Sequence, residues 1–340
     1  MSKRRQKFID ILKGICILMI VWGHAKGLLN YEFITLAVPC FFIISGFLHN
    51  KTDNFKVFFI KKFKRLYIPF ISCNLILPLI VLIKRFSLGL EIKNNIIYIL
   101  KIFLTLDKDG FLFGASWFLG SLFLISTAIK CMEKLLKGNY ILTGFFYLLI
   151  SFIFICCFNP NYEIKRTIIG GIFYLIGILI NNHRNLIYDI FLKYKYFIVI
   201  SALFIEIMLW KNIYGFSYVN TPLLNTVCFI IVSTIFLFTL SALSKYIEIH
   251  GKIAEKILSY FGKNSLYILL FHFIFFEIIN AIILKANNIP LGVIQGLPHA
   301  ICNKPFCIFL YFIAGLSGSL LLGKLFNFLA SVYFCSINKK

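Results

Sequence analysis

Acidic residues are scarce in this chain of 340 residues, which has 13 Asp and Glu against 35 Lys and Arg and a formal net charge of +22. Such a basic excess can indicate nucleic acid as a partner, but here the basic residues form no single domain or stripe. They recur between apolar runs, as cytoplasmic loops next to anionic lipid do. The charge pattern therefore favours a membrane surface and argues against nucleic acid.

Several motifs of soluble enzymes and metal sites are absent as well. The sequence has no G-x-S-x-G, Walker A, H-E-x-x-H or glycine-rich dinucleotide motif, which disfavours a serine hydrolase or a nucleotide-driven pump. Its ten cysteines include no C-x-x-C pair and no Cys/His metal spacing, so we predict no metal site. Most of them lie in or beside apolar runs as packing residues. Cys302 and Cys307 lie near a predicted outer loop and could pair, but no disulfide scaffold is predicted.

Apolar residues, in contrast, are abundant: 60% of the chain is hydrophobic, 18% is aromatic and the mean hydropathy is +0.89. A soluble protein of this length could not bury them without exposing large apolar patches. Because a bilayer core needs about 20 mostly apolar residues per helix, we predict an all-α polytopic integral membrane protein with about ten transmembrane helices. The predicted spans are 9–29, 33–49, 67–86, 114–131, 140–158, 167–182, 196–211, 222–243, 264–284 and 306–331.

The distribution of Lys and Arg predicts the orientation of these spans. With the N-terminus in the cytoplasm, the inner connections carry 22 basic residues and the outer ones 11, with Lys13 and Lys324 inside spans. Both termini are therefore predicted to be cytoplasmic. We interpret the run 94–106 as interfacial or re-entrant, and the first apolar segment as a retained span rather than a signal peptide. The expected organisation is one membrane domain over 1–340 with no appended soluble domain.

The first span carries ionisable groups that lipid disfavours. Lys13 and His24 are eleven residues apart, which is about 20° beyond three helical turns and about 16 Å along the axis. Both side chains are therefore expected on one helix face, with Asp10 able to pair with Lys13. The alternative is a lysine that snorkels to the headgroups and a core histidine satisfied by a neighbouring helix.

Two further segments combine polar residues with apolar runs. PCFFIISGF, at 39–47, has Ser45 and a glycine where a helix can bend or approach another closely. In KVFFIKKFKRLYIP, the spacing of Lys62 and Arg65 places two cations on one helical face, which suits an anion with several phosphates. The alternatives are a packing device in the first segment and ordinary cytoplasmic loop charge in the second.

Later spans add Trp117, which is also explained as an interfacial belt residue, and His272 in the ninth span. Glu277 follows His272 by five residues, or about 140° around the helix, so the two cannot face one site. Glu206 in the seventh span has no explanation, and His49, at the end of a span, is assigned no role.

Taken together, these segments resemble the membrane-bound acyltransferase family 3. The first span resembles that family in the basic residue and histidine separated by ten residues, Lys13 to His24, and in DILKG. FFIISGF, KKFKRLYIP, WFL at 117–119 and SLYILLFH resemble its later motifs, and the opening is most similar to the branch of fucose 4-O-acetylases. Lys13 and Lys62 stand where the family often has arginine, and lysine does not form a bidentate fork to phosphate.

The resemblance implies an O-acyltransferase that moves an acetyl group from acetyl-CoA to a sugar hydroxyl of a cell-envelope or exported polysaccharide or glycolipid. It implies donor phosphates at Lys13, Lys62 and Arg65. His24 is expected to act as general base or to relay the acyl group, and Trp117 to stack against the acceptor. Asp10, Ser45 and His272 are expected to support the site, and no metal is expected.

The expected location is the plasma membrane of a bacterium. The alternatives are a transporter or flippase for a lipid-linked sugar, with Lys13 and His24 on its pathway, and a structural subunit of an assembly complex. Transporters often contain paired half-repeats with broken helices, and the sequence shows no such symmetry.

Overall fold

A computed structural model describes residues 7–28, 30–74, 114–183, 223–289 and 300–337, and these ranges contain helices and no β-strand. A π-helical turn, Phe63–Tyr67, and helical residues 68–74 follow α3, and a 3-10 turn, Gly114–Ser116, precedes α4. The helices are α1 Lys7–His24, α2 Asn30–Phe47, α3 Phe55–Lys62, α4 Trp117–Leu135, α5 Tyr140–Phe158, α6 Tyr162–Asn182, α7 Leu223–His250, α8 Lys252–Lys263, α9 Ser265–Ala286 and α10 Pro305–Ile337.

The predicted helical class is confirmed, because α1, α2, α4, α5, α6, α7, α9 and α10 each coincide with a predicted span. Most of the third predicted span, all of the seventh with Glu206, and the run 94–106 lie outside the described residues. Within the part of the chain that the structure describes, the helices long and apolar enough to cross a membrane are Tyr140–Phe158, Thr226–His250, Ser265–Ala286 and Pro305–Phe326, and Ile34–Phe47 is a shorter apolar helix. The total of ten spans and the cytoplasmic termini stay predictions.

The buried and exposed faces of α5 are those of a helix that lies in lipid. Its buried side chains include the polar groups of Thr143, Tyr147 and Ser151, spaced four residues apart on one face. Its exposed side chains include Ile141 at 77% and Phe152 at 62%. A helix at a water surface has the opposite pattern, with its apolar stripe towards the core, so the outer face of α5 is suited to hydrocarbon.

The described chain forms two compact units. Unit 1 comprises Met1–Ile34, Asp109–Ala115 and Ser244–Lys340, and unit 2 comprises Thr35–Lys108 and Ser116–Leu243. The prediction of one membrane domain stays a prediction.

A close helix crossing in unit 1 explains a glycine of the DILKG segment. A Cβ added to Gly14 on α1 would overlap the backbone carbonyl of Leu258 on α8. Reciprocally, a Cβ on Gly262 of α8 would overlap the backbone carbonyl of Asp10. Small residues allow helix backbones to approach closely in membrane proteins. The two glycines therefore set the distance between α8 and the helix that carries Lys13 and His24.

Unit 2 contains a second crossing of the same kind, between α2 and α6. A Cβ on Gly46 would overlap the carbonyl of Tyr174, and a Cβ on Gly177 would overlap the carbonyl of Ile43. The close approach predicted for PCFFIISGF is thus confirmed. The helix itself continues through Pro39.

The π-helical turn after α3 has a cause in the sequence. Pro69 has no backbone N–H and its ring crowds the carbonyl four residues earlier, that of Arg65. The backbone forms a wider turn here, in which the N–H of Ile68 donates to the carbonyl of Phe63. Such π-turns are frequent at functional sites. The predicted sharing of one face by Lys62 and Arg65 assumed α-helical geometry, which ends at Lys62.

The ends of three helices meet in unit 2. The Nζ of Lys130, on α4, donates to the carbonyls of Asn50 and Lys51 in the turn after α2, at 3.2 Å each. Lys51 in turn donates to the side chain of Asn182 at the end of α6. The positive-inside rule assigns the connections after α2, α4 and α6 to one face, and these contacts place their helix ends together.

Candidate active site

Two histidines from different helices come together in unit 1. His24 is the last residue of α1 and His272 lies in the middle of α9, with 5.4 Å between their ring centroids and 31° between their planes. Phe273 contacts both rings, at 4.7 Å from that of His24 and 4.1 Å from that of His272. The two imidazoles therefore share one aromatic environment, to which Phe273 contributes on both sides.

The hydrogen bond of His272 determines which of its nitrogens is basic. Its Nδ1 lies 2.8 Å from the backbone carbonyl of Ile268. A carbonyl only accepts, so Nδ1 carries the proton and donates, and the neutral ring has its lone pair on Nε2. His272 is fully buried. Gly315 on α10 permits this packing, because a Cβ there would lie 2.7 Å from Phe276 and 3.5 Å from the Cβ of His272.

The end of α1 is closed by a tight turn directly after His24. The backbone N–H of Gly27 donates to the carbonyl of Trp22, and Lys26 has a left-handed backbone with φ 60°. The indole N–H of Trp22 donates to the carbonyl of Leu28, so the turn is fastened from both sides. His24 is thereby held at a helix C-terminus, where the helix dipole favours a positive charge.

The other predicted residues of the first span lie nearer the start of α1. Lys13 and His24 do occupy one continuous helix, as predicted. Asp10 is buried, with 4% of its surface exposed, beside the crossing with α8, and Lys13 is half-buried. The pairing of Asp10 with Lys13 stays a prediction.

The predicted phosphate-binding residues lie in unit 2. Lys62 is half-buried, with its Nζ 5.4 Å from the ring centroid of Phe58 and 5.9 Å from that of Tyr174. Arg65 lies in the π-turn and is exposed. Among the predicted residues, the structure thus brings His24 together with His272 and places Lys62 and Arg65 on consecutive turns.

Trp117 and Ser45 also lie in unit 2. Trp117 begins α4, and the guanidinium carbon of Arg166 lies 3.4 Å from the centroid of its ring. Arg166 is buried, on α6, so one face of the indole carries a cation. No pattern in the sequence indicated this cation. Ser45 is half-buried on α2, next to the glycine of the α2–α6 crossing.

A buried polar network in unit 2 was also missed. The carboxylate of Glu133 accepts from His49 Nε2 at 2.9 Å, Tyr140 Oη at 2.8 Å and Lys130 Nζ at 3.1 Å. The hydroxyl of Tyr174 donates to His49 Nδ1 at 2.8 Å. The scarcity of acidic residues was a usable signal, because Glu133 is one of only 13.

The pKa shifts of His49 and Glu133 agree with a neutral histidine bound to an ionised carboxylate. His49 follows the end of α2, and burial lowers its pKa below the ordinary value of 6.5 despite the hydrogen bond to Glu133. Glu133 lies beyond the predicted span 114–131. Burial raises its pKa, but the hydrogen bonds from His49, Tyr140 and Lys130 outweigh burial and lower the pKa to about 2. A neutral imidazole therefore donates to a carboxylate.

The cysteines correct one expectation. Cys302 and Cys307, just before and just inside α10, form a disulfide, whereas the sequence left their pairing as the less favoured alternative. Of the predicted packing cysteines, Cys16, Cys40 and Cys73 are buried, Cys228 is half-buried, and Cys131, Cys156 and Cys157 are exposed. Within the described ranges, no group of three or more His, Cys, Asp or Glu could hold a metal ion.

The described residues form helices, several of them long and apolar enough to cross a membrane, and they place two histidines against each other in unit 1. The chain belongs to the acyltransferase 3 family: the family model described as an acyltransferase domain matches residues 6–324. It is a membrane acyltransferase. No curated protein and no solved structure matches it. The predicted family is confirmed, and its fucose 4-O-acetylase branch stays a prediction.

Proposed function

We propose that this protein is an O-acetyltransferase that moves an acetyl group from acetyl-CoA to a sugar hydroxyl of a cell-envelope or exported polysaccharide or glycolipid. The family match gives the reaction class. The observation that carries the proposal within the site is the facing pair of His24 and His272. The resemblance to fucose 4-O-acetylases makes a fucose-containing acceptor the first to test.

In this proposal His24 is the general base. The acceptor hydroxyl gives its proton to His24 while its oxygen attacks the thioester carbonyl carbon of the donor. The carbon–sulfur bond breaks, and CoA leaves as a thiolate that takes up a proton to become the free thiol. A positioned base contributes about 10²- to 10⁴-fold to such a step. His272, whose neutral ring has its lone pair on Nε2, supports the proton transfer.

The donor is proposed to bind through its phosphates. Lys62 and Arg65 suit this role because both are cations at the π-helical distortion after α3, and cations bind phosphate by charge-assisted hydrogen bonds. Lys13 is assigned to the donor from its charge and from the resemblance. Asp10 and Ser45 are proposed to support these helices. Trp117 is proposed to line the path of the acceptor with Arg166 on one face.

The protein is proposed to lie in the plasma membrane of a bacterium, with loop 300–304 on the outer side. Disulfides persist in oxidising compartments and are rare in the cytosol. The Cys302–Cys307 bond therefore supports an extracytoplasmic position for the start of α10. This agrees with the orientation that the basic residues predict.

The experiment is an assay with purified protein in detergent, acetyl-CoA labelled in its acetyl group, and a fucose-containing oligosaccharide. The expected result is release of free CoA together with labelled, O-acetylated sugar. Failure to consume acetyl-CoA with any envelope carbohydrate, combined with movement of a lipid-linked sugar across reconstituted vesicles, would overturn the proposal in favour of a transporter.

A further inference from the structure

The buried network of Glu133, His49, Lys130 and Tyr174 has no part in the chemistry proposed above, yet it lies beside Lys62. Both ring nitrogens of His49 are committed, one to Glu133 and the other to Tyr174. No member of the network is more than 6% exposed. A group with committed nitrogens and no exposure does not act on a substrate, so the role of this network is to hold other residues in place.

One end of the network fixes the turn that precedes α3. Lys130 donates to the carbonyls of Asn50 and Lys51, and its charge is balanced by Glu133, three residues later on α4. Asn54 then begins α3, its side chain accepting from the backbone N–H of Val57 at 2.9 Å. The path of the chain into α3 is therefore set by side chains of α4 rather than by the turn alone.

The other end of the network fixes the surface on which Lys62 lies. The hydroxyl of Tyr174 is bound to His49, and its ring is one of two aromatic faces within about 6 Å of the Lys62 ammonium, the range of a cation–π interaction. The second face is Phe58, one turn earlier on α3. The network thus connects both the turn before α3 and the Lys62 ammonium at the end of α3 to the buried carboxylate of Glu133.

We propose that Glu133, His49, Lys130 and Tyr174 form a positioning network that orients Lys62 for the donor's phosphates. This inference rests on the proposed function, because it takes Lys62 as a donor-binding residue. Buried polar networks fix geometry when every member is satisfied, and removal of one partner leaves the others buried without theirs. Loss of a network member therefore weakens donor binding and leaves the chemical step nearly unchanged.

The experiment measures the Kd of acetyl-CoA by titration calorimetry and the kcat at saturating donor, on purified full-length protein. Tyr174→Phe removes only the hydroxyl and retains the ring under Lys62. It is expected to raise the Kd about five-fold, the worth of one hydrogen bond. Lys130→Met is expected to raise it about ten-fold or more. The kcat of both variants is expected to stay within about two-fold of wild type.

The matched control is Lys245→Met. Lys245 forms an ion pair with Glu248 at the same three-residue spacing as Lys130 and Glu133, but on an exposed surface of α7. Its Kd for acetyl-CoA is expected to equal that of wild type. Thermal melting identifies any variant that has lost its fold. Tyr174→Phe, which removes a single hydroxyl and retains the ring, keeps the inference testable if Lys130→Met unfolds.

A double-mutant cycle separates this inference from the proposed function. In a Lys62→Ala background, Tyr174→Phe is expected to have no further effect on Kd, because the two changes act through one interaction. If Lys62→Ala weakens binding but Tyr174→Phe and Lys130→Met do not, the network is structural and the inference is wrong. An undiminished effect of Tyr174→Phe in that background also overturns it. If Lys62→Ala leaves binding unchanged, the proposed role of Lys62 fails first.

Discussion

In unit 1 His24 lies against His272 at a ring distance of 5.4 Å, whereas in unit 2 His49 lies between Tyr174 and Glu133 with hydrogen bonds at both nitrogens. His272 donates from Nδ1 to a carbonyl of its own helix. The partners of His49 are the side chains of other helices. Backbone and aromatic contacts orient the rings of His24 and His272, whereas side chains on both sides fix the ring of His49.

This difference separates the histidine pair that we propose for catalysis from a histidine whose two ring nitrogens are both bound within the protein. A base needs a lone pair that a substrate proton can reach. In His49 one nitrogen donates and the other accepts within the protein, so the ring acts as a connector. In the histidine pair of unit 1, the backbone bond of His272 fixes its tautomer and directs the lone pair to Nε2.

The largest expected effect is at His24. His24→Ala is predicted to lower kcat for acetyl transfer about 10³-fold, because a positioned general base is lost, with yield and melting temperature near those of wild type. His250→Ala, which removes an exposed histidine at the end of α7, is the control and should retain full activity. A fully active and folded His24→Ala protein would remove the distinction between the two histidine sites.

The next effect is at His272, where two substitutions distinguish its nitrogens. His272→Asn retains a donor for the carbonyl of Ile268 but loses the group at Nε2, and is predicted to lower kcat about 10²-fold. His272→Gln places its amide nearer the Nε2 position and is expected to be the more active of the two. The measurement is kcat against pH, in which loss of a supporting imidazole alters the profile as well as the maximum. Equal full activity in both variants would assign His272 to packing.

The glycine crossings are predicted to matter for stability in both units. Gly14→Ala and Gly46→Ala each place a methyl group against a backbone carbonyl that cannot move away. We expect each to cost about 1–3 kcal/mol, as overpacking does, and to lower the melting temperature in detergent. Gly144→Ala on α5 is the matched control, because an added Cβ there meets nothing within 4 Å. If all three melt alike, the helices are not held at glycine contact.

Acid is predicted to destabilise unit 2 through the network. The pKa of His49 is lowered in the folded state, so below its ordinary value of 6.5 the unfolded chain takes up a proton that the folded one does not. The pKa of Glu133 is lowered from 4.5 to about 2, so its contribution is present above pH 4.5 and is lost as the pH falls towards 2.

Melting temperature against pH tests both parts of this prediction. His49→Gln should remove the loss that begins near pH 6.5, and Glu133→Gln the loss that begins near pH 4.5. Glu248→Gln, in the exposed pair with Lys245, should leave the profile as in wild type. If His49→Gln and Glu133→Gln both show the wild-type dependence of melting temperature on pH, other groups cause the loss of stability in acid.

The smallest effect on activity is expected from the disulfide. Cys302→Ser with Cys307→Ser should leave kcat within about two-fold of wild type, because the bond closes only a short loop. In intact cells, an impermeant maleimide should label this pair only after reduction. Labelling that requires permeabilised cells would place the start of α10 on the cytoplasmic side and reverse the orientation.

Helical periodicity was sufficient to predict the arrangement on α1. Lys13 and His24 lie on one continuous helix, and because eleven residues are slightly more than three turns, local geometry alone predicts that they share a face. The angle between His272 and Glu277 is local as well, and the structure gives them different neighbours: His272 faces His24, and Glu277 hydrogen-bonds with Asn280.

Contacts between distant segments could not be predicted in this way. His49 binds Glu133 across 84 residues and Tyr174 across 125, and no local pattern links them. The helices that cross at Gly14 and Gly46 are likewise set by tertiary packing. The π-turn after α3 had a local signal in Pro69. The prediction that Lys62 and Arg65 share a face used ideal α-helical geometry and did not include the effect of this proline on the preceding turn.

The most direct test of the central claim is NMR of the envelope polysaccharide from cells that contain the wild-type protein, the His24→Ala protein, or neither. The account predicts an O-acetyl group on one defined sugar with the wild-type protein, and its absence in the other two. O-acetylation that persists unchanged with a folded, abundant His24→Ala protein, or in cells without the protein, would contradict it.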